Sequence, residues 1–230
     1  TQGVLQYTPV GVFALISVIF ATEGFAVIGS LGKLILVCYI GYIFQIFIVY
    51  GGLLSAFGMN FGKFLKKGKD FMLMAFATRS SNAVLPLSLT VAEEEMGVSR
   101  TVSGFTLPLG AQVNMDGEAY YQILAVYFIA YATGITLTPA QQLFMVLAVT
   151  IGSIGTAGIA GSGPVVLLAV MDMVGLKADA GSAVAAAFAL ILGIDVLLDM
   201  GRTTANVTGD MVGTCIVAKT ENMMDLSKWK

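Results

Sequence analysis

Residues 194–219 are apolar enough to cross a membrane, yet they carry Asp195, Asp199, Arg202, Asn206 and Asp210. The intervals are four, three, four and four residues. At roughly 100° per residue, the five side chains fall within about 80° of one another on one helical face. Val196, Leu197, Leu198, Val207, Met211, Val212 and Ile216 cover the other faces. Each ionisable group at bilayer depth costs about 2.5–3.5 kcal/mol, so four cost roughly 10 kcal/mol before partners are counted. A single Asp–Arg pair is ordinary helix–helix glue. A polar stripe along a whole span reads more simply as the wall of an ion or substrate site.

Composition places the stripe in a membrane protein. Hydrophobic residues make up 57% of the chain and charged ones 11%, with a mean hydropathy of +0.87. Residues 1–22, 34–62 and 119–171 contain no Asp, Glu, Lys or Arg, and about 20 such residues suffice to span a bilayer. The expected environment is therefore lipid, in a multi-pass protein of the cell membrane. A net charge of −2 gives no sign of a nucleic-acid partner. With no histidine, an imidazole relay, a His-ligated metal and a Ser-His-Asp triad are excluded. Cys38 and Cys215 lie inside apolar runs and read as small packing residues. Thr1 is not an initiator methionine, so the chain reads as a piece of something longer or as a processed form.

Residues 9–21 continue an apolar helix that exits at Glu23-Gly24. A second span covers 32–57, followed by Lys63, Lys66, Lys67 and Lys69. Four lysines in a short loop place that loop, and with it the C-terminus, in the cytoplasm. Residues 71–78 and 83–92 are then two short apolar arms around Arg79-Ser80-Ser81-Asn82, which predicts a re-entrant hairpin over 63–92. Glu93, Glu94, Glu95 and Arg100 read as a solvated loop. Residues 101–132 are long enough to cross, but Asn114-Met115-Asp116-Gly117-Glu118 sits mid-way and predicts unwound backbone with carbonyls free for a cation. Residues 140–174 repeat the hairpin pattern around a tip with five glycines between 152 and 163. Taken alone, such a run also fits close helix packing. The polar helix follows over 183–219.

Hairpin, broken helix, hairpin, polar helix is a weak internal repeat, with Asn114-Met115-Asp116-Gly117 echoed by Asn206-Val207-Thr208-Gly209-Asp210. Tracking the turns makes the two halves inverted, the architecture of a secondary transporter with a site near the midplane. The fold class is thus all-α and polytopic, with two re-entrant helical hairpins and two broken or polar transmembrane helices.

Taken together, Thr78-Arg79-Ser80-Ser81, Asn114-Met115-Asp116-Gly117, Ser153-Ile154-Gly155-Thr156-Ala157-Gly158, Asp199-Met200-Gly201-Arg202-Thr203 and the Asn206–Asp210 motif closely resemble the dicarboxylate/amino acid:cation symporter family. The match covers nearly the whole chain but only the family's C-terminal half, so the first four spans of that fold lie outside it. The resemblance implies an elevator-type symporter, a homotrimer when complete, with residues 1–31 a scaffold-type helix and 32–230 the transport domain. It implies sodium ions as the coupling species and an amino acid, acidic foremost, as substrate.

By the same resemblance, Asp199 accepts the substrate amine and Arg202 clamps its side-chain carboxylate. Thr203 and Asn206 add polar contacts, Ser80 and Ser81 hold the α-carboxylate, and Gly158 to Gly163, including Gly161, form the extracellular gate. One sodium site uses carbonyls of Gly110, Asn114 and Asn206 with the Asp210 carboxylate. A second uses main-chain oxygens of Gln112, Met115, Ser153, Ile154 and Thr156. A third uses the side chains of Asn114 and Asp116. Such all-oxygen ligation suits a hard cation.

Three positions depart from the family pattern. Glu118 stands where a threonine usually adjoins the substrate's side-chain carboxylate, Gln112 replaces a threonine, and Gln122 replaces the glutamate of proton-coupled animal members. Arg202 is the expected partner of Glu118, which shifts preference towards neutral polar amino acids. Two other classes compete. An intramembrane aspartyl protease needs Asp116 and Asp199 to share a proton, but Arg202 one turn from Asp199 opposes that, and an enzyme is not expected. A non-catalytic subunit would use the stripe only as glue.

Overall fold

A computed structural model describes residue 17 and residues 26–229, and all of these are all-α apart from an isolated antiparallel bridge between Val98 and Met224. The scaffold-type helix expected over 1–31 lies almost wholly outside the described residues. The first described helix, α1 (Ala26–Phe44), runs without a break through a π-helical turn (Gln45–Tyr50) into α2 (Gly51–Ala56). Residues 29–56 are apolar and long enough to cross a membrane. Gly58 closes this helix at φ +66°, and the Lys219 ammonium donates to the carbonyls of Phe57 and Gly58. A cation there satisfies carbonyls that the helix end leaves unpaired.

The Asn60 side chain then accepts from the Lys63 N–H and starts α3 (Phe61–Thr78). This corrects the expectation of a lysine loop: Lys63, Lys66, Lys67 and Lys69 all lie within α3. Lysine is a good helix former, and Phe64, Gly68, Phe71 and Ala75 give the segment a buried stripe at spacings of four, three and four. Arg79 ends α3 in the left-handed region at φ +55°, and Ser80 caps α4 (Ser81–Thr90). Glu93–Glu95 also correct an expected loop, since Val91–Glu95 continue α4 as a π-helical turn. Glu93 accepts from the Ser103 hydroxyl at 2.8 Å, which holds that turn to the next helix.

The predicted break falls between α5 (Arg100–Val113) and α6 (Asp116–Ala132), but only Asn114 and Met115 leave helical geometry. Asp116, Gly117 and Glu118, expected to be unwound, form the first turn of α6. Thr138 and Gln141 make a reciprocal cap at the start of α7 (Pro139–Ile154), which leads through 155–162 to α8 (Gly163–Met173). The last long helix, α9 (Ala183–Thr220), is capped by Ser182 and is continuous over 38 residues. The Asn206–Asp210 echo is therefore a likeness of sequence alone: the helix stays continuous there, and its Asn206 and Asp210 side chains bond to Gly117 at the start of α6 and to Asn114 and Met115 in the break.

Around α9 the other helices are arranged, α6 most extensively, then α3, α5 and α1. Two close approaches in its middle require glycine. A Cβ on Gly201 would come within 2.5 Å of the Tyr42 ring, and one on Gly117 within 2.8 Å of the Arg202 Cα. Large apolar side chains stay exposed on α1, the π-helical turn after it and α7, including Leu36, Ile40, Phe47, Leu143 and Ile151, as expected of surfaces facing lipid or other helices. Cys38 and Cys215 are buried and unbonded to one another.

Candidate functional site

The stripe on α9 is buried along its length: Asp195, Asp199, Arg202, Asn206 and Asp210 are each less than 9% exposed. Arg202 is at the centre. Its Nη1 lies 2.8 Å from Asp195, and its Nε lies 3.0 Å from both Asp199 and Glu118. The guanidinium also stands 4.4 Å over the Tyr121 ring. Glu118 accepts in addition from the Gln122 amide at 3.1 Å. Buried charges persist only when paired and hydrogen-bonded, and here three carboxylates surround one arginine. The expected Glu118–Arg202 pair is present. Asp195, counted in the stripe but given no individual role from the sequence, is the carboxylate nearest to Arg202.

Asp199 links both hairpins to α9. Its Oδ1 accepts from Arg202 and from the Thr203 hydroxyl at 3.1 Å. Its Oδ2 accepts from the Gly161 N–H at 3.3 Å, and Arg79 lies 4.0 Å away. The tips also meet directly, because the Ser80 hydroxyl and the Asn82 N–H both donate to the Gly158 carbonyl, at 2.9 and 3.1 Å. Ser81, Glu118, Gly158, Asp199, Thr203 and Asn206 line one cavity with Arg79, Met115 and Thr156. Its volume is only about 10 Å³. Ser80 and Gly161 do not line it; they tie the tips together and to Asp199. Arg79 was read from the sequence only as part of the tip motif, and its left-handed backbone is what turns the chain from α3 into the tip.

Asn206 and Asn114 join the broken helix to α9. The Asn206 Oδ1 accepts from the Gly117 N–H at 2.7 Å, one of the otherwise unpaired donors at the start of α6. Its Nδ2 meets the Met115 sulfur at 3.2 Å. The Asn114 amide donates to the Asn206 carbonyl and to Asp210, both at 3.0 Å. A Cβ on Gly110 would come 2.7 Å from Asp210. Gly110, Asn114, Asn206 and Asp210, the first expected ion set, are thus together, beside a cleft of about 300 Å³ that Asp210 and Asn114 line.

The second expected set consists of main-chain oxygens. Met115 and Thr156 share the small cavity, whereas Gln112, Ser153 and Ile154 do not line it. The Gln112 side chain donates to Asn82 at 2.6 Å, and Ser153 and Thr156 bond back to their own helix at Thr150 and Gly152. In the third set, the Asp116 carboxylate is held from the first helix, and its partner Tyr50 and the Asn114 amide both border Gly209. The Asp116 Oδ2 accepts from Gln45 at 3.0 Å and from the Tyr50 hydroxyl at 2.7 Å. Those two residues were missed; their signal was polarity inside an otherwise apolar span. Asp116 and Asp199 take separate partners, so no carboxylate dyad exists between them.

Fold and site together define a helical membrane protein with a buried ionic row beneath two helical hairpins. The chain belongs to the sodium:dicarboxylate symporter family, which matches residues 1–220, as its motifs led us to expect. A proton/sodium-glutamate symport protein of Geobacillus stearothermophilus is 36% identical over 230 residues, covering 100% of this chain and 53% of the relative. A proton/glutamate-aspartate symporter of Escherichia coli is 36% identical over 228 residues, 99% of this chain and 50% of that protein. A C4-dicarboxylate transport protein of Janthinobacterium is 36% identical over 225 residues, 98% and 50% of the two chains. The chain spans about half the length of these relatives.

Proposed function

We propose that this chain supplies the substrate- and ion-binding half of a cation-coupled symporter for small carboxylate-bearing solutes, acidic amino acids foremost. The observation that carries the reading is the meeting of both hairpin tips over the buried Asp199–Arg202–Asn206 row. In this reading the hairpins are re-entrant, residues 32–230 move as a transport domain in an elevator mechanism, and the complete protein is a homotrimer. Asp199 takes the substrate amine, in place of the Gly161 N–H it now accepts from. Ser81 and the Gly158 backbone meet the α-carboxylate, and Thr203 and Asn206 complete the polar wall. Opening of 155–162 admits substrate, since the closed cavity has no room for one.

Sodium is the proposed coupling ion. Asp210 supplies the formal charge, and the carbonyls of Gly110, Asn114 and Asn206 complete an oxygen shell, which is the chemistry a hard cation takes. Met115 and Thr156 stand ready for a second ion. The relatives' names give glutamate with protons and sodium, glutamate and aspartate with protons, and C4-dicarboxylates with no ion, which supports the substrate class more than the ion.

A specific observation favours a second reading of the substrate. Glu118 occupies Arg202 at 3.0 Å, so a substrate's second carboxylate meets a filled arginine and a like charge. That favours neutral polar amino acids. Uptake of labelled aspartate and serine into liposomes containing the transporter that carries this chain tests both readings. Sodium-driven aspartate accumulation is the expected result. Serine in its place supports the second reading, a proton gradient acting alone replaces the ion, and accumulation under neither gradient overturns symport.

A further inference from the structure

At the opposite end of α3 from the hairpin tip, Lys63, Lys66, Lys67 and Lys69 line a cavity of about 470 Å³ together with Lys228. The π-helical turn after α4 forms another wall through Val91 and Glu95. Asp70 and Glu95 are the acidic groups that line it. Lys69 and Arg79 are ten residues apart, so the cavity is about 15 Å or more from the tip along the helix. The symport reading makes no use of it.

The lysines are held in two ways. Lys63 donates to the Trp229 carbonyl at 2.7 Å, Lys67 to the Glu95 carbonyl at 2.6 Å, and Lys228 to the carbonyls of Glu94 and Glu93 at 2.5 and 3.2 Å. Each ammonium has three N–H donors, so these anchored groups keep donors to spare. Lys66 and Lys69 make no hydrogen bond or ion pair among the described residues. The fifth lysine is delivered by the C-terminal turn (Leu226–Trp229), which is docked through the Trp229 Nε1 to the Met96 carbonyl at 2.7 Å and through the Asp225 N–H to Gly97. A lysine run on one helix is ordinarily a solvated face. Here a separate chain segment adds a fifth ammonium to a concave wall whose carboxylates are Asp70 and Glu95, the latter paired with Lys67 at 3.9 Å, so positive charge is left in excess for an anion.

We propose that this cavity binds a phosphate-bearing ligand, presented on a phospholipid headgroup or as a free polyphosphate. Lysine binds phosphate as a point charge without the planar geometry arginine requires. The volume falls in the range of small-ligand sites, about 300–1,000 Å³, and basic clusters beside membrane spans attract anionic headgroups. The test uses the purified transporter carrying this chain, with pyrophosphate as the free probe and nanodiscs of phosphatidylcholine with or without phosphatidylglycerol as the lipid probe. Retention of each probe is read by native mass spectrometry. The comparison is with the Lys66→Gln/Lys69→Gln variant, exposed positions that leave folding intact, and with Lys177→Gln as a control. The double variant is expected to bind at least one probe tenfold more weakly while the control matches the parent. Loss of pyrophosphate alone assigns a soluble ligand, loss of phosphatidylglycerol alone a headgroup, and loss of both the phosphate itself. No retention of either probe, or equal retention in the double variant, overturns the site.

Discussion

A guanidinium has five N–H donors in a fixed plane; Arg202 turns one to Asp199 and two to Asp195, and pairs ionically with Glu118. Of these partners Glu118 is the one contributed by another helix. Removing it leaves Arg202 paired within α9 while opening an edge of the guanidinium towards the cavity. Glu118→Thr is therefore expected to raise aspartate affinity about tenfold, or roughly 1.4 kcal/mol. Competition binding in parent and variant checks this, and equal affinities would remove Glu118 from substrate selection. Asp210 sits apart from that cluster, beside Asn114 and the 300 Å³ cleft. Asp210→Ala is expected to shift the sodium titration at least tenfold while substrate affinity at saturating sodium changes less. Superimposable titrations would move the ion elsewhere.

Among the elements, those defined by interruption were legible in the sequence and those defined by partners were not. Asn114-Met115 declared the break between α5 and α6, because polar side chains beside glycine have no place in a lipid-facing helix unless protein covers them. The glycines of 155–163 declared the second tip. The lysines of α3 misled, since positive-inside reasoning addresses which side of the membrane a segment faces and is silent on whether that segment is helical. Glu118's partner followed from charge alone. Tyr50 and Gln45 meet Asp116 across 66 and 71 residues of chain, and nothing local marks such a pairing. The Tyr50–Asp116 hydrogen bond pins the first turn of α6 to the π-helical turn, where the widened helix offers its side chains. Tyr50→Phe keeps the ring and removes one donor, so it is expected to cost about 1 kcal/mol. A fall of a few degrees in the thermal unfolding midpoint of the reconstituted protein checks it; an unchanged midpoint means that Gln45 alone suffices.

At the scale of the whole molecule, the two hairpins close on each other at a single residue. Gly158 offers its carbonyl to Ser80 and Asn82, and a Cβ there would lie 2.5 Å from the Ala111 carbonyl oxygen and 3.4 Å from the Asn82 amide. The obstacle is backbone of α5, which cannot swing aside as a side chain does. Gly161 is a different case: space around it is open, and its φ of +79° is the constraint. A Cβ at such a backbone costs about 1–2 kcal/mol of strain and leaves the seat of the tip free. Both glycines are candidates for the moving gate on sequence grounds, but the geometry ranks them. Gly158→Ala is expected to hold the 155–162 segment off the first hairpin, and Gly161→Ala to weaken closure by roughly tenfold, the equivalent of about 1.4 kcal/mol. Limited proteolysis of that segment with and without substrate distinguishes them: the Gly158 variant is cut at the same rate in both conditions, while the Gly161 variant is still protected, at higher substrate concentration. Full protection of Gly158→Ala at parental concentrations would mean that the tips need not touch for the site to close, and the gate would then lie in the arms of α7 and α8 instead.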